Sequence, residues 1–268
     1  ETGACLAWGG AMNLSPADDL LIRIERALDL DGEGQLVASV LSKKIAAGST
    51  HAVIDIPVGE TAKVRTPGDA DRLASLFTSV GAACGLKVRC IATDGSKPVG
   101  AGIGPTEEAR DVLAVLQGKR GAPEDLRSRA IMLAGHLFDL ADGRGVKEGM
   151  VKAERLLQNG SAWGQFKRIT EAQGGQRSLG EARFRRPVLC SESGTIVSID
   201  NRRLARVAKL AGAPASSTAG LRLLATVGDR VTKGEPLYEL LSDSPGQQDY
   251  ALAFNDMGPA IFTVKREE

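Results

Sequence analysis

Ser39 and Lys43 stand four residues apart in the run LVASVLSKKIA at 36–46. On a helix, positions four apart lie one above the other. The apolar residues Leu36, Val37, Val40, Leu41 and Ile45 fall on one arc at helical period, with Ser39 and Lys43 on its flank. A hydroxyl beside an ammonium suits a carbonyl edge that gains negative charge as a neighbouring bond breaks. A fixed cation there lowers the barrier more than it tightens binding of the intact molecule. The spacing also fits a plainer arrangement, in which Ser39 bonds back to Gln35 and Lys43 is solvated, and spacing alone favours that one. Lys44 falls inside the apolar arc, where its stem can lie along the core while its head snorkels outward or finds an ion pair. Upstream, Arg23 and Arg26 offer rigid guanidinium forks that match adjacent acceptors. Asp18 and Asp19 close the run LSPADD at 14–19, whose Pro and Asp favour a turn.

Other chemistry-bearing groups are weaker. The run GAGIG at 100–104 precedes a helix and has the composition to hold an anion at that helix start. Pro105 and Thr106 stand where a dinucleotide fingerprint needs its final glycine, so a packing turn is the expectation. His51 opens a strand and His136 sits in an apolar helix, neither with a readable nucleophile and acid. Cys5, Cys84, Cys90 and Cys190 form no C-x-x-C pair and no zinc-ligand spacing, and Cys84 and Cys90 read as small buried hydrophobes.

The elements that must carry these groups follow from periodicity and punctuation. A helix is expected over 34–47, ended by Gly48, then a β-branched strand at 51–58 ended by Pro57 and Gly59. A second helix spans 69–84, a strand 87–93, and a third helix starts at Thr106, with Glu107 and Glu108 suited to its positive end. Further helices fit 123–141, 146–158 and 161–173, and residues 3–8 read as a short strand. Helices alternating with strands over 34–117 predict a parallel or mixed sheet covered by helices. Residues 174–187, with Gly174, Gly175 and the basic Arg183, Arg185 and Arg186, read as a linker. Beyond it come short strands at 187–190, 194–199, 221–227, 235–241 and 260–265, with one helix at 201–211. The segment VGDRVTKGEPLYEL at 227–240 resembles the hammerhead of biotinyl and lipoyl carrier domains, without the modified lysine hairpin. The expected fold class is therefore α/β, a helix-covered mixed or parallel sheet, plus a C-terminal α+β module with hammerhead-like (barrel-sandwich) strands. The expected segments are 1–46, 47–178 and 179–268.

Composition excludes some partners. The net charge is +1 and aromatics make up 4% of the chain, so neither a broad basic field nor a stacking platform for a nucleic-acid polymer is present. No apolar run reaches the ~20 residues that span a bilayer, and no secretory leader is legible. The cytoplasm is the expected compartment. The opening ETGACLAW lacks an initiator Met and enters an apolar run at once, as a fragment lacking an N-terminal part would.

Several motifs recur in the order found in one enzyme family. The PADD turn at 16–19, ASVLSKK at 38–44, HAVIDIPVG at 51–59, KPVGAGIGPTEEARDVL at 97–113 and SGTIVSIDNRRLARVAKLAGA at 193–213 together resemble the thymidine phosphorylase and AMP phosphorylase family, over essentially the whole chain. These pentosyltransferases cleave an N-glycosidic bond with phosphate instead of water. The resemblance implies that Ser39 and Lys43 hold the base, that Arg23 or Arg26 forks onto it, and that Asp18 or Asp19 protonates a purine ring nitrogen. Lys43, Arg26, Arg23 and Asp18 are then the expected catalytic residues, and Ser39, Lys43, Arg23 and Asp19 the expected substrate contacts. It implies no cofactor, with phosphate a co-substrate, a nucleoside or nucleotide as the other substrate, no membrane partner, and a homodimer when full length. The R-x-x-R pattern at 23–26 and the PADD turn look closer to the AMP phosphorylase branch. The family's lysine- and glycine-rich phosphate loop does not precede residue 13, so a fragment inactive by itself is expected. A non-catalytic binding module built on the hammerhead-like strands is the competing expectation.

Overall fold

The computed structural model describes residues 2–7, 15–16 and 32–266. These form eight helices and nine strands, an α/β fold with a C-terminal α+β module. The helices are α1 (Glu33–Ala46), α2 (Pro67–Ala83), α3 (Pro105–Leu116), α4 (Glu124–Asp142), α5 (Val146–Gln158), α6 (Ser161–Ala172), α7 (Asn201–Leu210) and α8 (Pro245–Asp256). The strands are β1 (His51–Val58), β2 (Lys87–Asp94), β3 (Gly102–Ile103), β4 (Phe184–Leu189), β5 (Gly194–Ile199), β6 (Gly220–Leu223), β7 (Arg230–Val231), β8 (Pro236–Ser242) and β9 (Phe262–Lys265). The chain divides into two compact units, each drawn from several stretches: 1–58, 64–93 and 130–176 form one, while 59–63, 94–129 and 177–268 form the other.

In the first unit β1 and β2 lie side by side. Alternation along β1 buries Ala52, Ile54 and Ile56 on one face. Onto them pack Val37 and Leu41 of α1 and Ala70, Leu73 and Phe77 of α2. A buried Leu or Ile removed from water contributes about 1.5–3 kcal/mol, so this apolar stripe fixes α1 firmly. Thr66 caps α2 by accepting from the Asp69 N–H, and Pro67 occupies its first turn. α1 stops where Gly48 takes φ +74°, a left-handed conformation open to glycine. α4 and α5 approach so closely that a Cβ on Gly149 would overlap the Gly135 backbone.

In the second unit four strands pair in the order β3–β6–β8–β4, every pairing antiparallel, and a second sheet runs β7–β5–β9. Tyr238, Leu240, Leu221, Ile196, Leu204 and Val207 fill the core between these elements. Asp200 caps α7 through the Arg203 N–H at 2.9 Å. After β8 the chain forms α8, capped by Ser244.

The structure corrects several expectations. The described residues 2–7 form no strand; Gln173 brackets Leu6, accepting from its N–H at 2.8 Å and donating to its carbonyl at 2.5 Å. The stretch 174–187 is not all linker, because Phe184, Arg185 and Arg186 pair with Ser242, Leu241 and Leu240 of β8. Cys84 is exposed at the end of α2 and Cys90 is only half-buried, because β2 leaves one face partly open. Among the described residues, no helix is long and apolar enough to cross a membrane.

Candidate functional site

α1 carries Ser39 and Lys43 on one flank. The Lys43 ammonium donates to Ser39 Oγ at 3.3 Å, and both side chains are half-buried. Val37 and Leu41 hold the opposite face of the same turns at 3% and 1% exposure, so the pair projects from a fixed scaffold. Lys44 lies beside them with its ammonium 3.5 Å from the Val40 carbonyl. Burial, and then the Lys43 charge, holds its pKa below the ordinary lysine value. Ser42 completes the turn, its hydroxyl 3.2 Å from Ser15 Oγ and 3.4 Å from the Ser39 carbonyl. The residue just before the PADD run is thereby brought against the helix bearing Ser39 and Lys43. Asp18, Asp19, Arg23 and Arg26 themselves lie outside the described residues.

Chemically, a serine hydroxyl and an ammonium 3.3 Å apart form a compact donor pair. An ammonium is a three-proton donor, and a hydroxyl can donate and accept at once. Such a pair can grip a carbonyl oxygen and its ring neighbour and stabilise negative charge arriving there.

Two features of the same unit had no sequence-level reading. Thr93 Oγ1 donates to Asp55 Oδ1 at 2.6 Å, joining the neighbouring strands β2 and β1. Asp55 lies in the HAVIDIPVG run at 51–59, but its partner lies 38 residues away and no local pattern announces it. Arg89 of β2 pairs with Asp139 of α4 at 2.5 Å. That arginine, and then the Gly145 N–H, hold the Asp139 carboxyl below the usual range. Asp139 lines a cleft of about 200 Å³ together with Phe138, Asp142, Lys152 and Arg155. His136 Nδ1 is buried with no hydrogen-bond partner among the described residues.

The glycine run of the second unit is committed to packing. Four of its five backbone N–H groups meet carboxylates of this chain: Gly100 N–H to Asp125, Ala101 and Gly102 N–H to Asp111 Oδ2 at 2.7 Å each, and Gly104 N–H to Glu108. Asp111 and Glu107 are buried and both accept from Arg222 Nη1 at 3.1 Å. Arg222 responds with a raised pKa, its burial opposed by the Asp111 and Glu107 charges and hydrogen bonds. Gly104, at φ +117°, leaves no room for a side chain against the Ala219 carbonyl. With those N–H groups taken, this turn is a structural knot, and the anion-cradle alternative falls.

Comparison with known proteins places these motifs in context. Residues 195–256 match the family described as "Pyrimidine nucleoside phosphorylase C-terminal domain". A protein named "Putative thymidine phosphorylase 1" from Cupriavidus necator is 54% identical over 254 residues, covering 95% of this chain and 49% of that protein. One of the same name from an Acidovorax species is 52% identical over 267 residues, covering 100% of this chain and 52% of its own length. A "Putative thymidine phosphorylase" from Legionella pneumophila is 56% identical over 251 residues, 94% of this chain and 48% of that protein. The chain spans about half the length of the curated relatives it matches.

Proposed function

Since this chain belongs to the thymidine phosphorylase family, we propose that it carries the nucleobase side of a phosphorolytic active site. The reaction is transfer of a pentosyl group from a nucleoside to phosphate. The bond from C1′ to the base nitrogen breaks and takes its electron pair to the base; a phosphate oxygen forms the new bond to C1′. The base leaves as an anion or takes up a proton, and the product is a pentose 1-phosphate. Lys43 and Ser39 receive the base carbonyl and stabilise the charge that collects on it, with Arg23 or Arg26 adding a fork of donors. The single observation that supports this reading is the 3.3 Å Lys43–Ser39 contact on a helix whose other face is locked in the core. A preformed donor pair costs little reorganisation when charge develops.

Thymidine is the first substrate to test, after the names of the relatives. AMP is the second, because R-x-x-R at 23–26 and the PADD turn suit a larger, purine-bearing substrate. Four free cysteines agree with a reducing compartment, and we place the enzyme in the cytoplasm as a homodimer. The test is phosphate-dependent release of free base from thymidine, uridine and AMP by the intact enzyme. Release of thymine or uracil supports the first reading, release of adenine the second, and release of none refutes both.

A further inference from the structure

A cavity of about 340 Å³ opens in the second unit between the stretches 97–101, 121–125 and 222–229. Small-molecule sites typically measure ~300–1,000 Å³. The cations that line it are less committed than the carboxylates. Lys97 is half-buried, and its ammonium makes no hydrogen bond or ion pair among the described residues. Arg222 spends Nη1 on Glu107 and Asp111, while its Nε and Nη2 have no partner among the described residues. The Thr226 hydroxyl is likewise unpaired among them. The carboxylates are turned to backbone donors instead. Asp125 accepts from the Gly100 N–H at 3.0 Å and the Leu126 N–H at 2.8 Å, and Asp229 accepts from the Thr226 N–H at 2.8 Å. Pro123 and Leu224, the latter 51% exposed, supply an apolar wall.

We propose that this cavity binds a small phosphate monoester, its phosphate held by Lys97, Arg222 and Thr226 and its apolar body laid on Leu224 and Pro123. Lys97 supplies the net charge, because Glu107 and Asp111 already balance Arg222. Arg222 supplies direction, since Nε and Nη2 of a planar guanidinium donate side by side to two oxygens of one head group. A phosphate monoester has three terminal oxygens for these donors, and a carboxylate has two. The 100–104 backbone takes no part, because the Gly100 and Ala101 N–H groups are already bound to carboxylates. All the residues of this site belong to the second unit, and the inference does not depend on the phosphorolytic reading.

The test is calorimetric titration of the intact protein with phenyl phosphate and with benzoate, beside Lys97→Met, Lys97→Arg and Leu224→Ser, each first shown by circular dichroism to melt like wild type. Phenyl phosphate should bind wild type more tightly than benzoate does. Lys97→Met should weaken phenyl phosphate at least about tenfold, the size of one lost hydrogen bond to a charged group, while Lys97→Arg keeps the charge and stays near wild type. Leu224→Ser should weaken it severalfold, because the phenyl ring loses its apolar wall. No heat of binding, or binding that none of these replacements moves, would overturn the site. Benzoate bound as tightly as phenyl phosphate would overturn the choice of a phosphate. Phosphate-dependent base release should be the same in Leu224→Ser as in wild type, and a parallel loss of turnover would overturn the separation of this cavity from the reaction centre. Binding of phenyl phosphate that depends on Lys97, in a protein that releases no base, would keep the site and discard phosphorolysis.

Discussion

Replacing Asp111 by alanine removes the acceptor on which the 100–104 turn is built. One oxygen of this carboxylate receives two backbone N–H groups at 2.7 Å each, and the other receives Arg222 at 3.1 Å, with Asp111 itself at 2% exposure. A hydrogen bond to a charged group contributes about 1.5–3 kcal/mol, and breaking one side of a buried ion pair typically costs about 3–5 kcal/mol. Arg222 keeps Glu107 as a second acceptor, which trims its share of the loss. The Ala101 and Gly102 N–H groups have no such reserve. A destabilisation of about 3–5 kcal/mol follows, a large part of the ~5–15 kcal/mol that holds a typical domain. Asp111→Asn retains one oxygen and should lose about half as much. The assay is guanidinium unfolding followed by circular dichroism. At an m-value of ~4 kcal/mol/M the alanine variant should unfold about 1 M earlier than wild type. A loss below ~1 kcal/mol would refute the claim that this carboxylate organises the turn.

Three further outcomes are expected. Gly104→Ala should destabilise by about 1–3 kcal/mol, because it adds a side chain at φ +117° against the Ala219 carbonyl; equal unfolding midpoints for variant and wild type would contradict this. The Tyr238 phenol is held above its ordinary value, first by burial and then by the Asp256 charge. The unfolded chain therefore loses this proton near pH ~10 while the folded chain keeps it, so stability is intact below that pH and falls as pH rises beyond it. Tyr238→Phe should flatten that alkaline decline and lose about 1 kcal/mol at neutral pH with the 2.6 Å bond to Asn255; unfolding curves at pH 8 and pH 11 decide it. Burial pushes the Cys90 thiol up to about 11, so at pH 8 iodoacetamide should label the exposed Cys5 and Cys84 well before Cys90, and early labelling of Cys90 would contradict its half-buried placement.

The parts legible in the sequence are those whose signal is local. α1, β1 and α5 announce themselves by apolar period and by their glycine stops, and β5 by β-branched residues between turns. The pairing of Ser39 with Lys43 follows from helical spacing, a rule that needs no knowledge of the rest of the chain. The residues that escaped are joined over distance. Arg222 lies 115 positions from Glu107, and no periodicity connects them. β3 is two residues long and exists because Gly104 and Gly220 allow the two backbones to meet, so its cause is partly in β6 and not in its own composition. The first half of β4 was hidden because a basic run reads as solvent-exposed, yet its Arg185 is balanced by Glu239 of the neighbouring strand and by Glu181. α8 had a readable start in Ser244-Pro245, but the residues that follow carry only a weak apolar stripe, and burial of Ala251 and Gln248 is supplied by tertiary contact.

The sharpest test of the phosphorolytic reading is the turnover of Lys43→Ala, measured as phosphate-dependent base release beside wild type and beside Ser39→Ala. If the ammonium stabilises charge on the departing base, kcat should fall by about 10²–10³, the cost of removing one preorganised donor from a developing anion. Wild-type turnover in Lys43→Ala would show that the charge collects elsewhere, and the base-side assignment of this helix would then be wrong.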